Sequence, residues 1–152
     1  MRERQLLETK RLRVVLDTSI YVSAYLTKNP QSPTAELLRR WRKDEFVVLY
    51  SKELLHEITR KFVEKGIDIR YVIALIADLR LLGECIEIAT QKIKRVIVDD
   101  SDDDVIVACA IEGKATHIVT YDSHFDFFSG NYQEIKVVDG LHFLFCVREE
   151  LC

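Results

Sequence analysis

The amino-acid sequence predicts an α/β fold, a single-domain three-layer α/β/α sandwich with a mainly parallel central sheet. Short β-branched runs alternate with segments of helical periodicity, which is the pattern of parallel strands joined by crossover helices. The runs at 12–16 and 46–50 are almost wholly apolar, as expected of strands that helices cover on both faces. The 152 residues are about one domain's worth, so we expect one domain over 1–152 with its core at about 11–139.

Two strands and four helices are predicted in the first part of the chain. The strands cover 12–16 and 46–50, and the helices cover 20–26, 33–43, the stretch between Ser51 and Gly66, and 68–82. Ser32 and Ser51 are placed to cap the second and third helices, and Pro33 suits a first helical position. Apolar residues recur at helical spacing in the third helix, at Leu54, Leu55, Ile58 and Phe62.

Three strands and two helices are predicted in the remainder. The strands cover 85–88, 117–120 and 135–138, and the helices cover 105–112 and a closing segment from Gly140. Gly113 stands where a glycine commonly ends a helix. We find no repeat, low-complexity tract or linker that would divide the chain.

Charge is unevenly distributed along the chain. The formal net charge of −3 argues against a uniformly basic surface for nucleic acid. Acidic residues concentrate at 99–104, whereas basic residues concentrate at 2–13, 39–43 and 92–95. Such a division would suit a metal-dependent nuclease, with acids for the metal and bases for the phosphates.

Neither a membrane segment nor a cysteine motif is evident in the sequence. No apolar run approaches the length that crosses a bilayer, and the charged first residues are not followed by an apolar signal core. We therefore expect a cytoplasmic protein that does not bind membranes. The four cysteines lie too far apart for a metal-binding pair and are expected to act as small hydrophobic residues.

Four acidic residues are placed where a parallel sheet builds ligand sites, outside the carboxyl ends of its strands. Asp17 and Asp122 come at or just after predicted strands, Asp103 lies at the start of a predicted helix, and Glu57 lies two turns into another. Converging carboxylates repel each other, so we expect a cation among them. Because all of these ligands are oxygens, Mg²⁺ or Mn²⁺ is favoured over zinc.

Each acid also has a purely structural interpretation. Asp17 could cap the helix that follows it, and Asp122 could be a turn residue. Glu57 could be solvated on the flank of its helix, and Asp103 could do no more than stabilise a helix dipole. No single acid decides between the interpretations, but their joint placement favours a metal site.

Four short motifs, in this order, resemble the PIN domain family. An Asp-Thr-Ser triplet begins at Asp17, and a Ser-x-x-Leu-x-x-Glu helix carries Glu57. An acidic loop containing Asp103 leads into an alanine-containing helix, and a Val-Thr-x-Asp strand end closes at Asp122. The resemblance extends over about 11–139 and is strongest to the VapC-like subgroup, ribonuclease toxins of toxin–antitoxin systems.

The resemblance implies a Mg²⁺- or Mn²⁺-dependent endoribonuclease. Asp17, Asp103 and Asp122 would bind metal directly, and Glu57 would hold a ligand water or a second ion. Thr18 or Ser19 would orient a carboxylate or bind substrate phosphate through the hydroxyl, although both also suit helix capping. The implied partners are RNA, an antitoxin protein and a second copy of the chain.

Two departures from the family pattern leave assignments open. Ser101 replaces the proline expected in the acidic loop, which loosens the register of the neighbouring acids. Asp100 and Asp104 are therefore alternatives to Asp103 as the third ligand. In the fourth motif, His124 stands where a second acid is usual, and Asp126 is the alternative for that acid.

The basic end of the second helix offers a candidate contact to RNA. This segment contains Arg39, Arg40, Trp41, Arg42 and Lys43. A charged helix end is more often a solvated face, and a tryptophan there more often packs inward than stacks on bases. We favour the structural interpretation for this segment.

Three other functions fit parts of the pattern. A receiver-like phosphoacceptor domain requires paired acids near its first strand, whereas Asp17 has no acidic neighbour. A phosphatase with an aspartyl nucleophile requires Asp-x-Asp there, and Ser19 occupies the second position. The main alternative is a catalytically inactive PIN-type module that binds RNA or protein, against which the presence of all four acids argues.

Overall fold

The structure, a computed structural model, describes residues 11–89, 101–122 and 130–148, without the side chains of 101–103. The strands in these ranges are β1 (Arg13–Leu16), β2 (Val47–Tyr50), β3 (Glu84–Cys85), β4 (His117–Val119), β5 (Asn131–Tyr132) and β6 (Ile135–Val138). The helices are α1 (Thr18–Leu26), α2 (Pro33–Arg42), α3 (Lys52–Glu64), α4 (Ile69–Leu82), α5 (Ser101–Glu112) and α6 (Gly140–Val147).

The described strands form one sheet in the order β3-β2-β1-β4-β6-β5. Strand β1 pairs in parallel with both β2 and β4, β2 pairs in parallel with β3, and β4 with β6. Strand β5 runs antiparallel to β6 and forms a hairpin with it. The predicted α/β fold with a mainly parallel central sheet is therefore confirmed.

The central strand β1 indicates that both faces of the sheet are covered. Val14, Val15 and Leu16 are each 0% exposed. Because successive side chains of a strand point to opposite faces, their complete burial requires cover on both sides. Helix α5 packs against β1, β2 and β4, and α1 also packs against β1. The apolar run Val14–Leu16 of β1 thus reflects its position between helices.

Helix α3 forms as its sequence pattern predicts. The Ser51 side chain accepts a hydrogen bond from the Leu54 backbone N–H at 3.1 Å and so caps the first turn. Leu54, Ile58 and Phe62 are fully buried on the face that packs into the core. This cap and this buried face position the helix that carries Glu57.

Strand β3 is shorter than predicted. The sequence predicts a strand over 85–88, whereas β3 covers Glu84–Cys85 and is followed by one further hydrogen bond, from Ile86 N–H to Tyr50 O at 2.7 Å. The reason is that its partner β2 ends at Tyr50, where Ser51 begins the cap of α3. Beyond Tyr50, β3 therefore has no β2 residues left to pair with.

Helix α5 and strand β5 also differ from the prediction. The helix begins at Ser101 rather than at position 105, so the acidic residues form its first turn. The antiparallel strand β5 is absent from the prediction. Gln133 and Glu134, which connect β5 to β6, both have positive φ, at 48° and 71°. Tight hairpins usually place asparagine or glycine at such positions, so the sequence carries no hairpin signal here.

Neither a membrane span nor a disulfide occurs among the described residues. No helix in these ranges combines the length and the apolar character of a membrane-crossing segment. Cys85, Cys109 and Cys146 are free thiols, while Cys152 lies outside the described residues. Cys109 is 0% exposed, as expected of a cysteine that acts as a small hydrophobic residue.

Candidate active site

The edge of the sheet where β1 and β4 lie side by side forms the candidate site. From β1 the chain moves outward to β2 and β3, then returns through α5 to β4 on the other side of β1. Neighbouring parallel strands whose connections leave in opposite directions open a crevice at their carboxyl ends. Asp17 follows β1 at this crevice, and Thr120, Tyr121 and Asp122 follow β4.

Asp17 is buried at the β1–β4 crevice, with 4% of its surface exposed. Its backbone N–H extends the sheet by donating to Val119 O at 2.9 Å. Its Oδ1 accepts a hydrogen bond from Thr18 N–H at 2.7 Å, so Asp17 does cap α1. Its Oδ2 accepts a hydrogen bond from the Thr120 hydroxyl at 2.6 Å. Because a carboxylate offers about four acceptor positions, capping does not exclude cation binding.

Thr120 connects two of the predicted ligands, and sequence reasoning did not single it out. Its hydroxyl donates to Asp17 Oδ2 and accepts a hydrogen bond from the Asp122 backbone N–H at 2.9 Å. Only 6% of Thr120 is exposed. The threonine of the Val-Thr-x-Asp motif is the available sequence signal, but its partner Asp17 is 103 residues away.

The two predicted substrate-binding residues form the start of α1. Within the described residues, the Ser19 hydroxyl makes two long contacts, 3.5 Å to Asp17 Oδ2 and 3.4 Å to the backbone N of Tyr121. Thr18 is 4% exposed, and its Oγ1 has no hydrogen-bond partner within the described part of the chain. A buried hydroxyl in that state costs free energy unless water or a ligand satisfies it.

Glu57 lies on a helix that contacts two other acid-bearing segments. Glu57 itself is partly buried. Helix α3 packs against α1, which Asp17 caps, and also against α5, whose first turn is acidic. The fold therefore brings the helix of Glu57 together with both of these helices.

The third predicted ligand is in the first turn of α5. Asp103 has a helical backbone, but its side chain and the whole of Asp100 lie outside the described residues. A crossover helix returns antiparallel to the strands it connects, so its first turn is at their carboxyl edge. Asp104 is 2% exposed there. It is therefore a buried carboxylate at the same sheet edge as Asp17, and it remains an alternative to Asp103.

The chemistry of the donors at this edge fits a hard divalent cation. Asp17 and Asp104 are buried carboxylates, and charged groups are costly to bury without compensation. Oxygen donors suit Mg²⁺ or Mn²⁺. Among the described side chains, no group of three or more His, Cys, Asp or Glu residues could hold a metal ion. Asp103 and its alternative Asp100, whose side chains are not described, are the candidate ligands that the described side chains leave untested.

A further carboxylate at the same edge, Asp139, caps a helix. It follows β6, and its side chain accepts a hydrogen bond from His142 N–H at 2.8 Å at the start of α6. Burial raises the pKa of Asp139, but hydrogen bonds from His142 outweigh burial and bring the pKa below its usual value. These contacts give Asp139 a structural role.

The basic end of α2 is engaged within the molecule. Arg40 pairs with Glu36 at 2.8 Å, and Arg42 pairs with Asp78 at 3.1 Å. Trp41 is 0% exposed and is therefore unavailable for stacking on bases. The prediction that Trp41 packs inward is confirmed.

A PIN domain family model matches residues 13–124 of the chain. Among solved structures, VapC20 of Mycobacterium tuberculosis, a Sarcin-Ricin loop cleaving toxin, is 17% identical, with a TM-score of 0.55 over 81% of this chain and 98% of VapC20. PAE2754 from Pyrobaculum aerophilum is 14% identical, with a TM-score of 0.55 over 91% of this chain and 90% of PAE2754. No curated protein matches the sequence. At these identities, the two structures are similar to this chain in fold.

Proposed function

Because the chain belongs to the PIN domain family, we propose that it is a divalent-metal-dependent endoribonuclease, the toxin of a toxin–antitoxin pair. The observation that carries the proposal is the buried Asp17 carboxylate at the β1–β4 crevice, held by the Thr120 hydroxyl. Carboxylates are rarely buried so completely, because removing their charge from water is costly. A cation at this edge would offset that cost, which is why we favour a metal site over a helix cap alone.

We assign direct metal contacts to Asp17, Asp103 and Asp122, and to Glu57 the holding of a ligand water or a second ion. Asp104 is the alternative to Asp103, because its carboxylate is buried in the first turn of α5. A bound Mg²⁺ or Mn²⁺ supplies a water of lowered pKa and neutralises charge on a scissile phosphate.

The chain's own residues would orient RNA at the crevice. Thr18 N–H and the Thr120 hydroxyl hold the two oxygens of the Asp17 carboxylate in one orientation. The Ser19 hydroxyl would bind phosphate, because the start of a helix is the positive end of its dipole. Tyr121 is 47% exposed and offers an unpaired base an aromatic surface.

We propose two protein partners, an antitoxin and a second copy of the chain. We also propose that the protein acts in the cytoplasm. VapC20, which has a similar fold, is a toxin. One face of α4 is a candidate surface for a protein partner, because its apolar residues Ile73 and Leu81 are 63% and 80% exposed. These residues and Ala77 are four apart and lie on one side of the helix. Exposed apolar patches commonly mark protein–protein contacts.

Cleavage of single-stranded RNA in the presence of Mn²⁺ tests the proposal. Asp17→Asn and Asp122→Asn keep the shape of each side chain but remove its charge, so we expect both to abolish cleavage while the fold is retained. Asp44→Asn is the matched control, since Asp44 precedes β2 at the opposite edge of the sheet. Asparagine tolerates the positive φ of 61° at that position.

Two results would contradict the proposal. If both crevice variants cut RNA as fast as the parent chain, the metal-site assignment is wrong. If the parent chain binds RNA but cuts none with either Mg²⁺ or Mn²⁺, the inactive binding module is the better description.

A further inference from the structure

We propose that Thr120 is a positioning residue that couples the Asp17 carboxylate to the Asp122 turn and thereby sets the affinity of the crevice for divalent metal. The inference rests on the proposed metal site. It adds a residue that is neither a predicted ligand nor a predicted substrate contact.

The direction of each hydrogen bond follows from the chemistry of the groups. The backbone N–H of Asp122 can only donate, so the Thr120 oxygen accepts from it at 2.9 Å. The single hydroxyl proton of Thr120 is then directed to Asp17 Oδ2 at 2.6 Å. Distances of about 2.5–2.7 Å are typical of charge-assisted bonds from a hydroxyl to a carboxylate. One oxygen atom thus links the side chain of one proposed ligand to the backbone of another.

The Thr120 hydroxyl is held in place by the sheet. Thr120 N–H donates to Val138 O at 3.0 Å, which ties the residue to β6. Asp17 N–H donates to Val119 O at 2.9 Å, which ties the start of α1 to β4. Both ends of the hydroxyl contact are therefore anchored to paired strands. A rigidly held partner restricts the carboxylate to one orientation, as partners of metal ligands commonly do.

Ser19 is a poor substitute for this contact. Its hydroxyl is 3.5 Å from the same Asp17 oxygen, compared with 2.6 Å for Thr120. Hydrogen bonds weaken with such lengthening. Thr18 N–H holds the other carboxylate oxygen and cannot replace the bond to Oδ2.

Titration of the purified chain with Mn²⁺ alone, followed by calorimetry and by the electron paramagnetic resonance of the free ion, tests the inference without an activity assay. Thr120→Val keeps the side-chain shape and removes the hydroxyl, and we expect Mn²⁺ affinity to fall about 10- to 100-fold. Thr120→Ser keeps the hydroxyl and should restore most of that affinity. Thr34→Val is the matched control, because Thr34 is 2% exposed and its hydroxyl contacts Ser23 Oγ at 3.1 Å in a different region.

The outcomes separate the inference from the proposed function. A parent chain that binds Mn²⁺, with unchanged affinity in Thr120→Val, overturns the inference and leaves the metal site standing. A parent chain that binds no Mn²⁺ overturns both. An equal loss in Thr34→Val would trace the effect to general destabilisation and would also overturn the inference. If Thr120→Val does not fold, Thr120→Ala replaces it, because alanine removes the hydroxyl without putting a methyl group in its place. We expect the same fall in Mn²⁺ affinity for that variant.

Discussion

At the residue scale, a buried histidine links the stability of the sheet to pH. His117, the first residue of β4, is 3% exposed and packs edge-on against Phe143, with ring centroids 5.2 Å apart. Its Nε2 has no hydrogen-bond partner among the described residues. Burial, together with the charge of Lys136, lowers its pKa from 6.5 to about 4. The imidazole is therefore neutral in the folded chain at neutral pH.

This histidine predicts a loss of stability in mild acid. Unfolded His117 takes up a proton below about pH 6.5, whereas folded His117 takes one up only near pH 4, so protons favour the unfolded chain in this window. The loss from this residue should approach ~3 kcal/mol at the lower end of the window. His117→Leu removes the titration, so the stability advantage of the parent chain over the variant should shrink as pH falls. Urea unfolding at a series of pH values measures this.

Glu36 also makes the stability of the fold depend on pH, but in a lower pH range than His117. A hydrogen bond from Arg148 outweighs partial burial and lowers the Glu36 pKa from 4.5 to about 2. Its stabilising contribution is present above its unfolded pKa and is lost as pH falls from about 4.5 towards 2. The two windows barely overlap. A difference between parent and His117→Leu that stays constant between about pH 6.5 and 4.5 would contradict the histidine prediction.

The sequence predicts acidic residues for the candidate site but not the contacts that two of them make through Thr120. Asp17 and Asp122 are predictable because each follows an apolar strand run. The bond from Thr120 to Asp17 depends on β1 and β4 being neighbours, which local patterns do not determine. The third ligand is ambiguous because consecutive aspartates share one helix turn, and the burial of Asp104 keeps that ambiguity open.

At the element scale, the cap of α3 links three parts of the fold. Ser51 is 0% exposed, follows β2 and accepts the hydrogen bond from Leu54 N–H. Its hydroxyl lies beside the Cys109 thiol on α5. Burial raises the pKa of that thiol to about 12, so it is protonated at neutral pH. Ser51 thus fixes the start of the helix that carries Glu57 against α5.

Ser51→Ala should therefore destabilise the fold. Removing the hydroxyl leaves a buried backbone N–H without its cap, which costs about 1–2 kcal/mol. Urea unfolding measures the change in the free energy of unfolding. Ser32→Ala is the matched control, since Ser32 caps α2 from a partly exposed position, through a 3.3 Å bond from Ala35 N–H. We expect a smaller loss there, and a larger loss in Ser32→Ala would refute the argument from burial.

Long helices and central strands could be predicted from the sequence, whereas the shortest strands could not. The longer helices and the central strands are predicted to within a few residues, because the helices repeat apolar residues at a clear period and the central strands are continuous apolar runs. The two-residue strands β3 and β5 are too short to carry any period. Their limits are determined by a partner, since β3 stops with β2 and β5 exists through its hairpin with β6.

At the scale of the whole molecule, the exposed apolar face of α4 predicts self-association. Two copies that pack these faces together would bury Ile73 and Leu81, which are costly to leave in water. We expect the parent chain to sediment as a concentration-dependent dimer in analytical ultracentrifugation. Leu81→Glu introduces a charge into that contact and should give a monomer.

Leu141→Glu is the control for this experiment. Leu141 is also exposed, at 43%, but it lies on α6. The same change of residue type there should leave the dimer intact. A parent chain that remains monomeric at every concentration, or a dimer that survives Leu81→Glu, would show that the α4 face is not used in this way.

The β1–β4 crevice has a consequence for how the protein is made. Strand β1 ends at Leu16, whereas β4 begins only at His117. Synthesis proceeds from the N-terminus, so a growing chain exposes Asp17 and Glu57 long before the residues that close the crevice leave the ribosome. If the proposed nuclease acts through this crevice, a growing chain that has not yet reached β4 cannot cut RNA. In that case the messenger and the ribosome that are producing a chain would be safe from it until β4 has been made.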